Sequence, residues 1–83
     1  MAYQLVYTQR AVQDIEALDP IARKRLGKKL EFFSHDPKRT AKRLIDSKLG
    51  QYRWRVGDYR VVFDLHGEKI VILRVGHRRE IYR

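Results

Sequence analysis

The reactive side chains of this sequence concentrate near one end, where His77, Arg78, Arg79, Glu80 and Tyr82 fall within six positions. An imidazole, two fixed cations, a carboxylate and a phenol are thereby brought together. Such a set suits cleavage of RNA by its own 2′-hydroxyl. That reaction needs a proton acceptor for the hydroxyl, cations for the charge growing on phosphorus, and a donor for the leaving 5′-oxygen. Arginine is effectively never deprotonated, so Arg78 and Arg79 can serve only as clamps. Base and acid must then come from Tyr82, His77, Glu80 or displaced water. Plainer readings stand beside these roles: His77 as a surface imidazole, and Tyr82 as a ring that packs the tail down or stacks on a base.

A second set of cations is placed by periodicity. From Gln51 onward Tyr52, Trp54 and Val56 point one way, with Arg53 and Arg55 the other. Gly57-Asp58 predicts a tight hairpin that sets Val56 against Tyr59 and Arg55 against Arg60. Arg53, Arg55 and Arg60 then share one sheet face, where like charges on adjacent strands cost stability unless an anion joins them. Arginine suits phosphate, since its planar fork donates two hydrogen bonds to two oxygens. The alternative is an exposed, solvated face. Lys42, Arg43 and Lys48 fall in the connection before the hairpin and, with Arg79, could follow a nucleic-acid backbone, although loop lysines are often only solvated. Arg10, Arg23, Lys24, Arg25, Lys28 and Lys29 fall on predicted helices, where a charged outer face is ordinary.

The positioning elements can be read in order. Tyr3 to Tyr7 alternates as a short strand. Thr8 can cap a helix with Val12, Ile15 and Leu18 on one side. Asp19-Pro20 restarts a helix that puts Ala22, Leu26, Leu30 and Phe33 on one stripe, and His35-Asp36-Pro37 ends it. After the hairpin, a turn at Gly67-Glu68 leads into Lys69 to Val75, apolar enough for a central strand. In unbroken alternation Arg74 would pair with Val61 and point to the helix side as a snorkelling structural residue. Val62, Val71, Leu73 and Val75 would share the arginine face. The whole predicts an α+β, small two-layer domain: strand–helix–helix followed by a three-stranded antiparallel meander. Both helices cover one face, and the other is left for a partner protein.

Eighty-three residues leave room for one domain, spanning 1–83. The absence of cysteine excludes disulfides, thiolate metal sites and a thiol nucleophile, and three scattered histidines make no metal centre. No metal or other cofactor is expected. No apolar run approaches a membrane span and no signal-peptide pattern opens the chain, so a reducing, cytoplasmic location is expected. The net charge of +9 implies a polyanionic partner. The surplus is uneven, with eleven basic and five acidic residues in 42–83 against eight and five in 1–41.

Two stretches, Tyr52-Arg-Trp-Arg-Val-Gly-Asp-Tyr-Arg60 and Val75-Gly-His-Arg-Arg-Glu-Ile-Tyr82, resemble the RelE branch of the RelE/ParE toxin superfamily. The likeness extends over nearly the whole chain, including the opening strand, the Asp-Pro between the helices and Asp36-Pro37. The resemblance implies the toxin of a type II toxin–antitoxin pair. Such a toxin is a metal-independent endoribonuclease that cuts mRNA in the A site of the ribosome's 30S subunit, leaving a 2′,3′-cyclic phosphate and a 5′-hydroxyl. It also implies a RelB-like antitoxin that wraps the toxin. Family active-site positions fall on Arg53, Arg55, Arg60, Arg78 and Tyr82. Arg53 and Arg55 stand where some members have lysines, which keeps phosphate clamping and argues against a lysine base. Other relatives use a histidine and a glutamate, which directs attention to His77 and Glu80. Two rivals remain: a ParE-like inhibitor of DNA gyrase, and a non-catalytic nucleic-acid-binding module.

Overall fold

A computed structural model describes residues 3–45 and 48–81. The first strand, β1 (Gln4–Tyr7), runs into α1 (Gln9–Glu16), and α2 (Pro20–Phe33) follows after a short break. Both helix starts are capped as their sequences require. The Thr8 hydroxyl accepts from the Ala11 amide at 3.1 Å, and the Asp19 carboxylate from the Ala22 amide at 2.9 Å. Four strands complete the chain: β2 (Lys42–Arg43), β3 (Tyr52–Val56), β4 (Tyr59–His66) and β5 (Lys69–His77). They join β1 in one sheet of order β1-β5-β4-β3-β2, with β1 parallel to β5 and the other pairs antiparallel.

The expected meander β3-β4-β5 is therefore present, and β5 lies in the interior of the sheet, between β1 and β4. The expected hairpin register also holds, since Val56 pairs with Tyr59 and Arg55 with Arg60. Both turns put glycine at their first position, Gly57 at φ +58° and Gly67 at +60°, where a side chain would be strained.

The helix-side face of the sheet holds the core. Trp54, Val56, Val61, Phe63, Ile70, Ile72 and Val75 pack there against Ala11, Leu26, Leu30 and Phe33. Trp54 is its centre: its ring stacks on Phe63 at 3.9 Å between centroids and meets Phe33 at 5.1 Å. Its buried indole N–H donates to the Pro37 carbonyl at 3.0 Å. That bond satisfies a polar group the core would otherwise penalise, and ties the segment after α2 to the sheet.

Several expectations are corrected. Lys42 and Arg43 are not loop residues; they form the two-residue edge strand β2, paired with Arg53 and Tyr52. On α1 the buried position is Ala11, whereas Val12 is 41% exposed, and Leu18 lies past the helix end. The unbroken alternation of β5 fails. Phe63 pairs with Ile72 but Val62 with Arg74, so Leu73 is an extra residue in the strand. The bulge reverses the phase beyond it. Val75 pairs with Val61 and joins the core instead of the arginine face, and Arg74 faces Val62 instead of Val61. The second face is also partly covered by this chain itself. Gly50 lies over Val62, which is only 1% exposed.

Candidate nucleic-acid interface

On the face opposite the core, Arg43, Leu44, Ile45, Arg53, Arg60, Arg78 and Arg79 line a cleft of about 680 Å³. Five of the seven are arginines and none is acidic. They come from three parts of the chain: β2 and the residues after it, the β3–β4 hairpin, and the tail after β5.

Arg60 anchors the cleft. It is 7% exposed, and its Nη1 donates to the carbonyls of Gly57 at 3.1 Å and Tyr59 at 3.0 Å. These bonds fix the guanidinium against the hairpin turn that created the register. Its cross-strand neighbours are Arg55 on one side and Gly76 on the other. Two like-charged pairs, Arg55 with Arg60 and Lys42 with Arg53, sit opposite one another in adjacent strands. Such pairs are unfavourable alone and are relieved by an anion between them.

The tail reaches the cleft through backbone contacts. The Arg78 amide donates to the Asp58 carbonyl in the hairpin turn at 2.8 Å, and the Arg79 amide to His77 Nδ1 at 3.2 Å. The amides of Glu80 and Ile81 both return to the His77 carbonyl, and buried Ile81 lies beside Gly76. The cleft's third wall comes from the segment after β2. Gln51 holds that segment to β4: its amide donates to Asp64 Oδ1 at 2.8 Å, and its Oε1 accepts from the Leu65 amide at 2.9 Å.

Of the residues expected from sequence, Arg43, Arg53, Arg60, Arg78 and Arg79 meet in this cleft. Arg55 is exposed beside Arg60 and outside the lining; Lys42 and Lys48 are also exposed and outside it. Tyr82 lies outside the described residues. His77 is turned away by the β5 bulge. It pairs with Tyr59, meets that ring edge-on at 6.0 Å, and lines a separate hollow with Asp14, Arg74 and Glu80. Sequence reading missed Leu44 and Ile45, which give the cleft an apolar wall; Ile45 is fully exposed. An apolar pair inside a basic connection was the available signal. Burial pushes the Tyr7 phenol above its ordinary value, but this group belongs to an apolar hollow between the helices. Among the described residues no helix is long and apolar enough to cross a membrane.

Residues 5–82 match the family described as the ParE toxin of the type II toxin–antitoxin system parDE. The chain is 35% identical to Toxin RelG of Mycobacterium tuberculosis over 89 aligned positions, covering 100% of this chain and 99% of the relative. Its fold is similar to a chain of the RelBE2 toxin–antitoxin complex of M. tuberculosis, with TM-score 0.86, 28% identity, and 96% and 95% of the two chains covered. It is also similar to a chain of the intact E. coli RelBE complex, with TM-score 0.78, 25% identity, and 92% and 96% covered.

Proposed function

This chain belongs to the RelE/ParE superfamily of type II toxin–antitoxin toxins, and we propose that within it the protein is a ribosome-dependent endoribonuclease that cleaves mRNA in the A site. The observation that carries this reading is the convergence of five arginines from three parts of the chain on one cleft with no acidic residue among the described residues that line it. In the reaction the 2′-oxygen of the RNA forms a bond to the adjacent phosphorus while the bond to the 5′-oxygen breaks. The products are a 2′,3′-cyclic phosphate and a 5′-hydroxyl. Charge grows on the non-bridging oxygens, and guanidinium groups fixed beforehand stabilise it without reorganising. Arg60, Arg53 and Arg78 are the residues assigned to that clamp, with Arg43 and Arg79 on the flanking backbone. Arg55 would reach the same RNA from the strand edge.

The arginines cannot take the 2′-proton. His77 and Glu80 line the hollow beside α1, so the proton step falls to Tyr82 or to displaced water. Leu44 and Ile45 offer an apolar surface to a base. Solved relatives of this fold include toxin–antitoxin complexes. We assign this chain a RelB-like antitoxin partner, with the arginine cleft and its apolar wall as the surface to be masked. The protein would act in the cytoplasm, where ribosomes translate.

The test is induction in growing bacteria with transcriptome-wide mapping of new 5′-hydroxyl RNA ends. Breaks confined to translated frames and in phase with codons are expected. Breaks spread equally over untranslated RNA would mean a free-standing nuclease. The family match is described by the ParE toxin, so gyrase supercoiling is assayed alongside. Growth arrest with inhibited supercoiling and no new ends would move the assignment to a ParE-like gyrase inhibitor. Arrest with neither would leave a nucleic-acid-binding module. Among variants, Arg78→Ala and Tyr82→Phe should each reduce cleavage strongly in folded protein, and retention of full toxicity in both would overturn the site assignment.

A further inference from the structure

The bulge that turns His77 away from the cleft is held from outside the sheet. β1 pairs with β5 only as far as Ile72. Beyond it α1 takes over the outer edge of β5, at the point where the extra residue breaks the ladder to β4. The Thr8 hydroxyl, already accepting from Ala11, donates to the Leu73 carbonyl at 3.1 Å. Two turns later Asp14 Oδ2 accepts from the Val75 amide and from Arg74 Nε, both at 2.9 Å. The Asp14 side chain is only 14% exposed, and Arg10 Nε lies 3.7 Å from its other oxygen. A carboxylate so shielded and so bonded is a strong fixed point, because charge-assisted bonds strengthen away from water.

A one-residue slip moves every later side chain to the opposite face. Without the bulge, Val75 and His77 would face the arginines, and Gly76 would leave the place beside Arg60 where Ile81 now seats the tail. We propose that Asp14 is a positioning residue: by holding the β5 bulge at Arg74 and Val75 it fixes the face on which Arg78 and Arg79 enter the cleft. Asp14 is not itself among the described residues that line the cleft. The inference rests on the nuclease reading only for the kind of ligand the cleft takes.

The test uses the full chain and two independent readouts. One is nuclear magnetic resonance of the Tyr59–His77 ring contact and of hydrogen exchange at the Val75 amide. The other is the affinity for a short fluorescein-labelled 2′-deoxy oligonucleotide, which lacks the attacking hydroxyl. Asp14→Ala should lose the ring contact and the Val75 protection and bind about tenfold more weakly, as expected when contact groups are displaced by a fraction of an ångström or more. Asp14→Asn keeps an acceptor for the Val75 amide and should recover most of both. Leu5→Ala, which loosens β1 without touching the clamp, should lower the unfolding midpoint yet keep the affinity. If Asp14→Ala fails to fold, Arg74→Met removes one of the two bonds and should shift both readouts in the same direction by less. The proposal is overturned if the ring contact and affinity survive in Asp14→Ala, or if Leu5→Ala weakens binding as much. Should the wild type not bind the oligonucleotide off the ribosome, the resonance readout alone decides the clamp, and the mapping of 5′-hydroxyl ends separately decides the nuclease reading.

Discussion

A buried arginine and an exposed one in the same cleft should respond differently to removal. Arg60 is nearly covered and bonds two carbonyls of the hairpin turn, so Arg60→Ala deletes a structural contact together with the ligand contact proposed above. Hydrogen bonds to a charged group contribute about 1.5–3 kcal/mol, and for a domain this small each kcal/mol moves the midpoint by about 4–8 °C. Arg60→Ala should therefore lower thermal stability and binding together. Arg78 is exposed and reaches the body of the protein through its amide, which alanine retains. Arg78→Ala should leave the midpoint almost unchanged while weakening oligonucleotide binding. Paired thermal unfolding and fluorescence anisotropy on the two variants check this. Equal loss of stability in both would contradict the division of labour between anchor and clamp.

At the scale of elements, the connection from β2 to β3 is the part of the cleft most exposed to a single change. Gly50 has φ +152°, and a Cβ built there would lie 2.6 Å from Val62 Cγ1 and 2.9 Å from Leu73 Cδ1. A side chain would meet both a forbidden backbone region and two packed neighbours. Gly50→Ala should cost about 1–3 kcal/mol or force the connection off the sheet, carrying Leu44 and Ile45 away from the cleft. Gly67→Ala is the matched control. It too has positive φ, +60°, but open space around it, so only the backbone term remains, about 1 kcal/mol. Denaturant unfolding followed by Trp54 fluorescence measures the difference, and a control as damaging as Gly50→Ala would remove the packing argument.

The same scale explains what could be read beforehand. Alternation and two glycine turns specify β3, β4 and the start of β5, because each signal is local, and the arginines of the first hairpin follow from them. The bulge at Leu73 is not local: nothing in Ile72-Leu73-Arg74 requires an extra residue. Its bonds come from Thr8 and Asp14, sixty or more residues earlier in sequence. The reading of His77 beside the arginines failed for that reason. β2 escaped because two residues carry no period.

For the molecule as a whole, the question is whether its +9 charge acts as a diffuse field or through the cleft. The described basic residues occur in both layers, and those on α2 are absent from the cleft lining. Arg25, Lys28, Lys29 and Phe32 form a surface of their own there, with Lys29 Nζ 5.9 Å from the Phe32 ring centre. A diffuse field steers encounter but makes no fixed set of phosphate contacts. Each phosphate engaged on a single strand contributes about −0.7 to the slope of log K against log salt. If the cleft arginines hold the strand, Arg79→Ala should flatten the slope by about that amount, whereas Lys28→Gln on α2 should lower affinity slightly and leave the slope alone. Titrations of the 2′-deoxy oligonucleotide at several salt concentrations distinguish the two cases. Equal flattening by both substitutions would mean that binding is spread over the basic surface. The convergence of arginines in the cleft would then no longer support the nuclease assignment.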